Sequence, residues 1–289
     1  MGHVYASLAE FKNFLREQGE ATLGTNNDAT MLAGLESVSR RIDAWAARGP
    51  SGFGPRTATN KYDGNGGSVL RFDDDLASVT SVKLRSSTAA ATQTTATVET
   101  DFYLLRADGS YGDPPYRKLR LHGAGAVTQF GRGYRVTEVA GTWGYPVITR
   151  DLLVTTIEAL DASEQVIDVS ALTGIALGMT LLVESEQVYV SGLTDAATDS
   201  ITVDRGCNGT TAALHDTGKT LKRIIYDAAV VDACNRVMLR RWRSRDAGAD
   251  GMDGGGQVGA IAPREGEDLI LQRTIGHLRL PAVPPASPR

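Results

Sequence analysis

Apolar residues recur at helical spacing in four stretches of this chain and at strand spacing through most of the remainder. Leu8, Phe11, Phe14 and Leu15 predict a short helix over 7–17, with Ser7 as N-cap and Glu10 as the second half of a capping box. Met31, Leu35, Val38, Ile42 and Trp45 form one apolar stripe and predict a helix over 28–47, which Gly49, Pro50, Gly52 and Gly54 bring to an end. Val230, Val231, Cys234, Val237, Met238 and Trp242 predict a third helix over 227–245. Leu271, Ile275 and Leu278 predict a fourth over 267–278. Between the second and third helices the period is that of strands. Thr57–Tyr62 and Ser68–Phe72 flank Asp63-Gly64-Asn65-Gly66-Gly67 and read as a hairpin, because such a turn needs positive φ. Strands are also expected at 76–84, 102–106, 117–121 and 134–141, with Tyr134, Val136 and Ala140 on one side of the last.

A change of rhythm follows Pro146. Val166–Val169, Thr180–Val183, Gln187–Val190, Ile201–Asp204 and Thr220–Ile224 are short, closely spaced strands, as in a small barrel or sandwich. The expected fold is therefore α+β. A small helical bundle is built from the N- and C-terminal helices, with a β-rich middle region at 56–145 and an inserted small β-barrel or sandwich module. In domain terms, 1–147 plus 226–289 form the core and 148–225 is a self-contained insert looped out of it. Glycines and aspartates make 246–260 a flexible linker, and four prolines make 281–289 an extended tail.

Composition narrows the function. Net charge is −4, so the clustered overall excess of Lys and Arg that grips duplex DNA tightly and generally is missing. Only Cys207 and Cys234 occur. They read as small buried residues in a reducing setting, not as a disulfide framework. No apolar run approaches the ~20 residues of a membrane span, and the opening MGHVYASLAEFKNFL lacks the regions of an export signal.

The catalytic search finds little. His3, His122, His215 and His277 are scattered without metal-ligand spacing. No phosphate-cradling glycine loop and no nucleophile elbow occur, so no catalytic residue, metal or cofactor is expected. Asp73-Asp74-Asp75 reads as a solvated lead-in to a strand and lacks the alternation of a calcium loop. Asn208-Gly209-Thr210 matches a glycosylation acceptor that a cytosolic protein would not present. Arg236, Arg240, Arg241, Arg243 and Arg245 concentrate positive charge on the third helix.

The order of features resembles the head–tail connector, or adaptor, proteins of long-tailed bacteriophages and gene-transfer particles. The phrases that carry it are Asp74-Asp75-Leu76-Ala77-Ser78-Val79-Thr80-Ser81-Val82-Lys83, Asp101-Phe102-Tyr103, Arg135-Val136-Thr137 with Gly144-Tyr145, and a helix ending Arg-Trp-Arg-Ser-Arg-Asp at Asp246. They cover about 5–147 and 226–278. The 148–225 block, with Arg205-Gly206-Cys207-Asn208-Gly209-Thr210-Thr211-Ala212, is similar to small β modules of phage structural proteins. The resemblance implies a non-enzymatic homo-oligomeric ring of about twelve copies, closed by head-to-tail contacts. That ring would lie between the capsid portal and stopper or tail-terminator proteins. Duplex DNA would pass through its channel without sequence-specific binding, in a virion neck assembled in the host cytoplasm and away from any membrane.

Within that frame, Arg236, Arg240 and Arg243 are expected to pair with acids of a neighbouring subunit. A tethered last helix carrying Leu271, Ile275 and Leu278 is expected to dock on the portal, because a lone amphipathic helix is marginal in water. Met31, Leu35, Val38, Ile42, Trp45, Val230, Cys234, Val237 and Trp242 are expected to make the bundle core. Two rivals remain open. One is a non-catalytic binding protein whose β insert recognises a carbohydrate or protein, with Tyr189 as the main aromatic platform. The other is a cell-wall hydrolase, which would need a convergent acid pair.

Overall fold

A computed structural model describes residues 4–20, 23–48, 52–90, 92–195, 197–246 and 263–280. The fold is α+β, with four helices and two six-stranded antiparallel sheets among these residues. Apart from Asp246, the expected linker at 246–260 lies outside the described residues, as does the tail at 281–289.

The first of two compact units contains residues 4–48 and 147–280. Helix α1 (Leu8–Glu17) begins at a complete capping box. Ser7 Oγ accepts from the Glu10 N–H at 3.3 Å, and the Ser7 N–H donates to Glu10 Oε2 at 2.8 Å. Helix α2 (Asp28–Trp45) buries every member of its expected stripe, and its C-cap is Ala46. Helix α3 (Ala228–Asp246) buries Val230, Cys234, Val237, Met238 and Trp242. It approaches α2 so closely that a Cβ on Gly34 would lie 2.5 Å from Met238 Cε. Helix α4 (Pro263–Ile275) starts four residues earlier than expected, with proline at its first position, and passes into a 3-10 turn over 276–278.

The sheet of this unit has the order β7 (Ile148–Thr155), β12 (Thr220–Ile225), β9 (Thr180–Val183), β10 (Glu186–Thr194), β11 (Ser200–Asp204) and β8 (Val166–Asp168). Its edges meet only through an isolated bridge between Thr156 and Val169, so no barrel is closed. Strand β7 was not expected. Its residue pattern does not alternate cleanly, and Leu153 at φ 60 interrupts its register with β12.

The grouping of these elements corrects the expected domain division. Residues 148–225 are not looped out of the helical core but belong to the same compact unit as the helices. Strand β10 shows why. Val188 and Val190 point into the module core, whereas Tyr189 on the opposite face is also buried, its hydroxyl donating to Glu36 of α2 at 2.6 Å. A strand apolar on both faces needs cover on both. The helices also meet the module where the Leu8 N–H donates to Leu177 O at 3.1 Å. Further contacts are the ion pair of Arg223 with Glu10 and the 5.1 Å edge-on packing of Tyr5 and Tyr226.

The second unit is residues 52–146. Its strands are β1 (Arg56–Asn65), β2 (Val69–Leu84), β3 (Thr94–Ala96), β4 (Phe102–Leu105), β5 (Tyr116–Leu121) and β6 (Arg132–Trp143). They are ordered β1-β6-β2-β5-β4, with β3 on β2. The expected hairpin is therefore wrong in its pairing. Gly66 does take positive φ, at 75°, but β6 lies between β1 and β2. Turn chemistry sets a reversal, whereas the partner is set by β6. Val139 and Trp143 of β6 are fully buried, and Trp143 packs edge-on to Phe72 at 5.3 Å.

Two further expectations fail here. Asp74 and Asp75 are buried inside β2, at 5% and 2% exposure, and are not a solvated lead-in. Asp75 O accepts from the Gly144 N–H at 2.8 Å, and its carboxylate meets Arg117 at 3.5 Å. In β6, Arg135 at φ 51 breaks the alternation, so Tyr134 is exposed while Val136 is buried.

Candidate functional site

The surface that the sequence singles out is built from α2, α3 and α4. Buried Glu267 and part-exposed Asp268 at the start of α4 face Arg41 of α2 and Arg241 of α3. Arg241 forks onto Glu267 through Nε at 2.6 Å and Nη2 at 3.0 Å, and its Nη1 donates to Ser37 Oγ at 3.1 Å. Arg41 reaches Asp268 at 2.5 Å and Glu267 at 3.9 Å. The paired Glu267 carboxylate raises the Arg241 pKa against the opposing effect of burial. This network clamps α4 to the other two helices.

Two of the three arginines assigned to subunit pairing have polar partners within the chain. Arg236 meets Asp232 one turn back at 2.7 Å, and Arg243 reaches Glu20 at 4.0 Å and Gln18 O at 3.5 Å. The Arg240 guanidinium lies against Gly266 of α4. The side chains of Arg236 and Arg243 stay about half exposed, at 54% and 52%. Such ion pairs contribute only about 0–1 kcal/mol each. The outer side of α3 thus remains positive, although Arg236 and Arg243 are already partnered.

The docking face proposed for α4 is not open. Leu271 and Ile275 are fully buried within the unit, and Leu278 is half-buried. Behind them the Leu280 N–H donates to Ala46 O at 3.0 Å, Arg48 donates to Leu278 O at 2.9 Å, and the Arg279 guanidinium lies 4.9 Å from the Trp45 ring centroid. A marginal helix with an apolar stripe is stabilised by the nearest apolar groove, and here that groove is its own chain. On its outer side Leu269 is 45% exposed.

A second constellation was missed in the sequence. Glu186 of β10 is 1% exposed and accepts from Arg205 Nε at 2.7 Å and Nη2 at 2.8 Å. It also accepts from the N–H groups of Gly206 at 2.9 Å and Ala213 at 3.1 Å, and contacts His215 Nε2 at 2.9 Å. Arg205 also donates to the carbonyls of Asp161, Glu164 and Ala213. His215 Nδ1 is 2.8 Å from Glu184, which Lys219 neutralises at 2.7 Å. Burial alone would push the Glu186 carboxyl up, but the Arg205 and His215 hydrogen bonds and the two backbone donors together hold it down at about 2.

Chemically this is a saturated knot. Every acceptor position of the carboxylate is engaged, so it fastens the 205–215 loop to β10 and offers no lone pair to a substrate. Its three side chains lie in separate segments, and only the adjacency of Arg205 and Gly206 before a turn hinted at it.

Both cysteines are buried as expected. Burial pushes the Cys234 thiol up to about 12 and that of Cys207 above its usual value, which makes both poor nucleophiles. Tyr189 is 2% exposed and provides no platform for a ligand. Among the described residues no His, Cys, Asp and Glu group is placed to hold a metal ion, and no helix is long and apolar enough to cross a membrane. No family model, no curated protein and no solved structure matches this chain.

Proposed function

We propose that the chain is a structural, non-catalytic adaptor of a phage virion. Its four helices act as one bundle, the module at 148–225 acts as a small barrel-like brace for that bundle, and copies of the chain form a ring of about twelve. The ring joins the capsid portal to stopper or tail proteins and leaves a central channel for duplex DNA. The observation that carries this reading is the docking of α3 and α4 on α1 and α2, which makes one body from helices separated by about 180 residues. A shared framework of this kind suits a ring component, which must present two different flanks to its neighbours without deforming. The phrases at 74–83, 101–103, 135–145 and 228–246 support it from the sequence side. The positive outer side of α3 is the flank assigned to the neighbouring subunit.

The test is assembly. The purified chain, alone and mixed with portal rings, is examined by size-exclusion chromatography with light scattering and by negative-stain imaging. An annulus of about twelve copies, free or seated on the portal, is the expected result. A chain that stays monomeric and unbound in the presence of portal rings overturns the reading.

A further inference from the structure

The outer face of the second unit carries a groove that the adaptor reading does not use. It encloses about 510 Å³ and is lined by Val69, Arg71, Leu105, Gly109, Lys118 and Arg120, with Asn65 and Leu70 at its margin. Strand period 2 explains how it forms. In β5, Arg117, Leu119 and Leu121 alternate with Lys118 and Arg120. Leu119 and Leu121 enter the core, so the two cations share the outer face. Register adds the third cation, because Arg71 of β2 stands directly opposite Lys118. Like charges facing each other across a strand pair destabilise a sheet unless something neutralises them.

Among the described residues of the unit nothing does. No carboxylate lines the groove, and among the described residues neither Arg71, Lys118 nor Arg120 forms an ion pair. Lys118 Nζ donates to Ala107 O at 2.6 Å, which holds the ammonium at the groove wall with two donors to spare. Arg71 and Arg120 keep their full guanidinium forks and are exposed. Tyr103 of β4 stands opposite Arg120 and packs edge-on to Tyr111 at 5.5 Å and to His122 at 5.3 Å, so an aromatic border adjoins the cations.

We infer that this groove binds the phosphodiester backbone of a nucleic acid. The Cα atoms that carry the cations are spaced about 5 Å across strands and about 7 Å along β5. The cations therefore face a chain of repeated single charges better than one compact anion. Guanidinium forks match phosphate oxygens in bidentate geometry. Half-buried Val69, directly opposite Arg120, adds apolar surface beside the cations for the sugars of the backbone. The inference goes beyond the adaptor reading and does not rest on it, since ring assembly and nucleic-acid binding are read in separate assays.

The experiment measures binding of a labelled 20-base-pair duplex to the full chain by fluorescence anisotropy between 25 and 200 mM NaCl. Three phosphate contacts predict a slope of log K against log salt of about −2.7. R71A/R120A is expected to weaken binding at least about tenfold at the lowest salt and to flatten the slope by about 2. R71K/R120K, which keeps the charge but loses the forks, is expected to keep the slope at about −2.7 while binding more weakly than wild type and more tightly than the alanine variant. A circular-dichroism spectrum and thermal melt matching wild type show that R71A/R120A is folded. R16A/R150A removes the same charge from exposed positions of the first unit that belong to no proposed interface, and should change little. The inference is overturned by no duplex binding, by an unchanged slope in R71A/R120A, or by an equal loss in R16A/R150A. It is also overturned if inorganic phosphate displaces the duplex far better than chloride of equal ionic strength, which would mark a site for a free ion.

Discussion

Replacing Glu186 by alanine removes one carboxylate that serves five donors at once. The guanidinium of Arg205, whose side chain is 5% exposed, would then be left without its counter-charge. Breaking a buried ion pair from one side costs about 3–5 kcal/mol. Arg205 retains three backbone carbonyls, which places the expected loss near the lower end, about 3 kcal/mol. E186Q preserves volume but turns one acceptor into a donor facing other donors, so a loss of about 2 kcal/mol is expected. In E186A/R205A the stranded charge is gone, and the double variant should be about 1.5–3 kcal/mol less destabilised than the sum of the singles.

The chain has two compact units, so a global melt does not isolate the stability of either one. Hydrogen–deuterium exchange in the 204–215 segment reads the knot directly, because the Gly206 and Ala213 amides donate to Glu186. The same carboxyl sets a pH window. Folded, it is held at about 2; unfolded, it returns to 4.5. Its contribution is whole above about pH 4.5, does not vary between pH 5 and 8, and is lost as pH falls toward 2. The gap in protection between wild type and E186Q should therefore close across that acid range. Strictly additive single and double variants, or a gap that is flat from pH 6 to 2, would refute the reasoning.

Three other outcomes follow from the packing. S7A removes the acceptor of the α1 cap and should cost about 1 kcal/mol, read as faster exchange in the first turn of that helix. G141A places a methyl against Ser78 O in the middle of the β6–β2 pairing. It should destabilise the second unit by about 1–3 kcal/mol, lowering the transition seen through buried Trp143 and leaving the first unit unchanged. L271A opens a cavity under α4 and should cost about 2–5 kcal/mol with loss of protection across 266–278. A loss below about 0.5 kcal/mol would mean that Leu271 does not lie in the core of the unit.

The candidate surfaces were only partly legible in the sequence. The arginines of α3 stand out as a charge run, and their intramolecular partners do not, because Asp232 is the only one at helical spacing and Glu267 is 26 residues from Arg241. The Glu186 knot joins positions 186, 205 and 215, none of which is unusual by itself. The basic groove had a usable signal in Lys118 and Arg120 two residues apart, but Arg71 joins them only through strand register.

What the chain determines by itself is local. The Ser7–Glu10 capping box, the stripe from Met31 to Trp45 and the strands at 180–183 and 220–225 all form where residue spacing places them. The reason is that spacing and capping are properties of one segment. Which apolar face meets which other is not. Only the tertiary structure decided that β6 separates β1 from β2, and that Asp74 and Asp75 lie inside a strand. It also decided that α4 covers its own chain and that the 148–225 module joins the helices. Each of those outcomes follows from burying the largest matching apolar surfaces together, a choice among distant partners that no local period encodes.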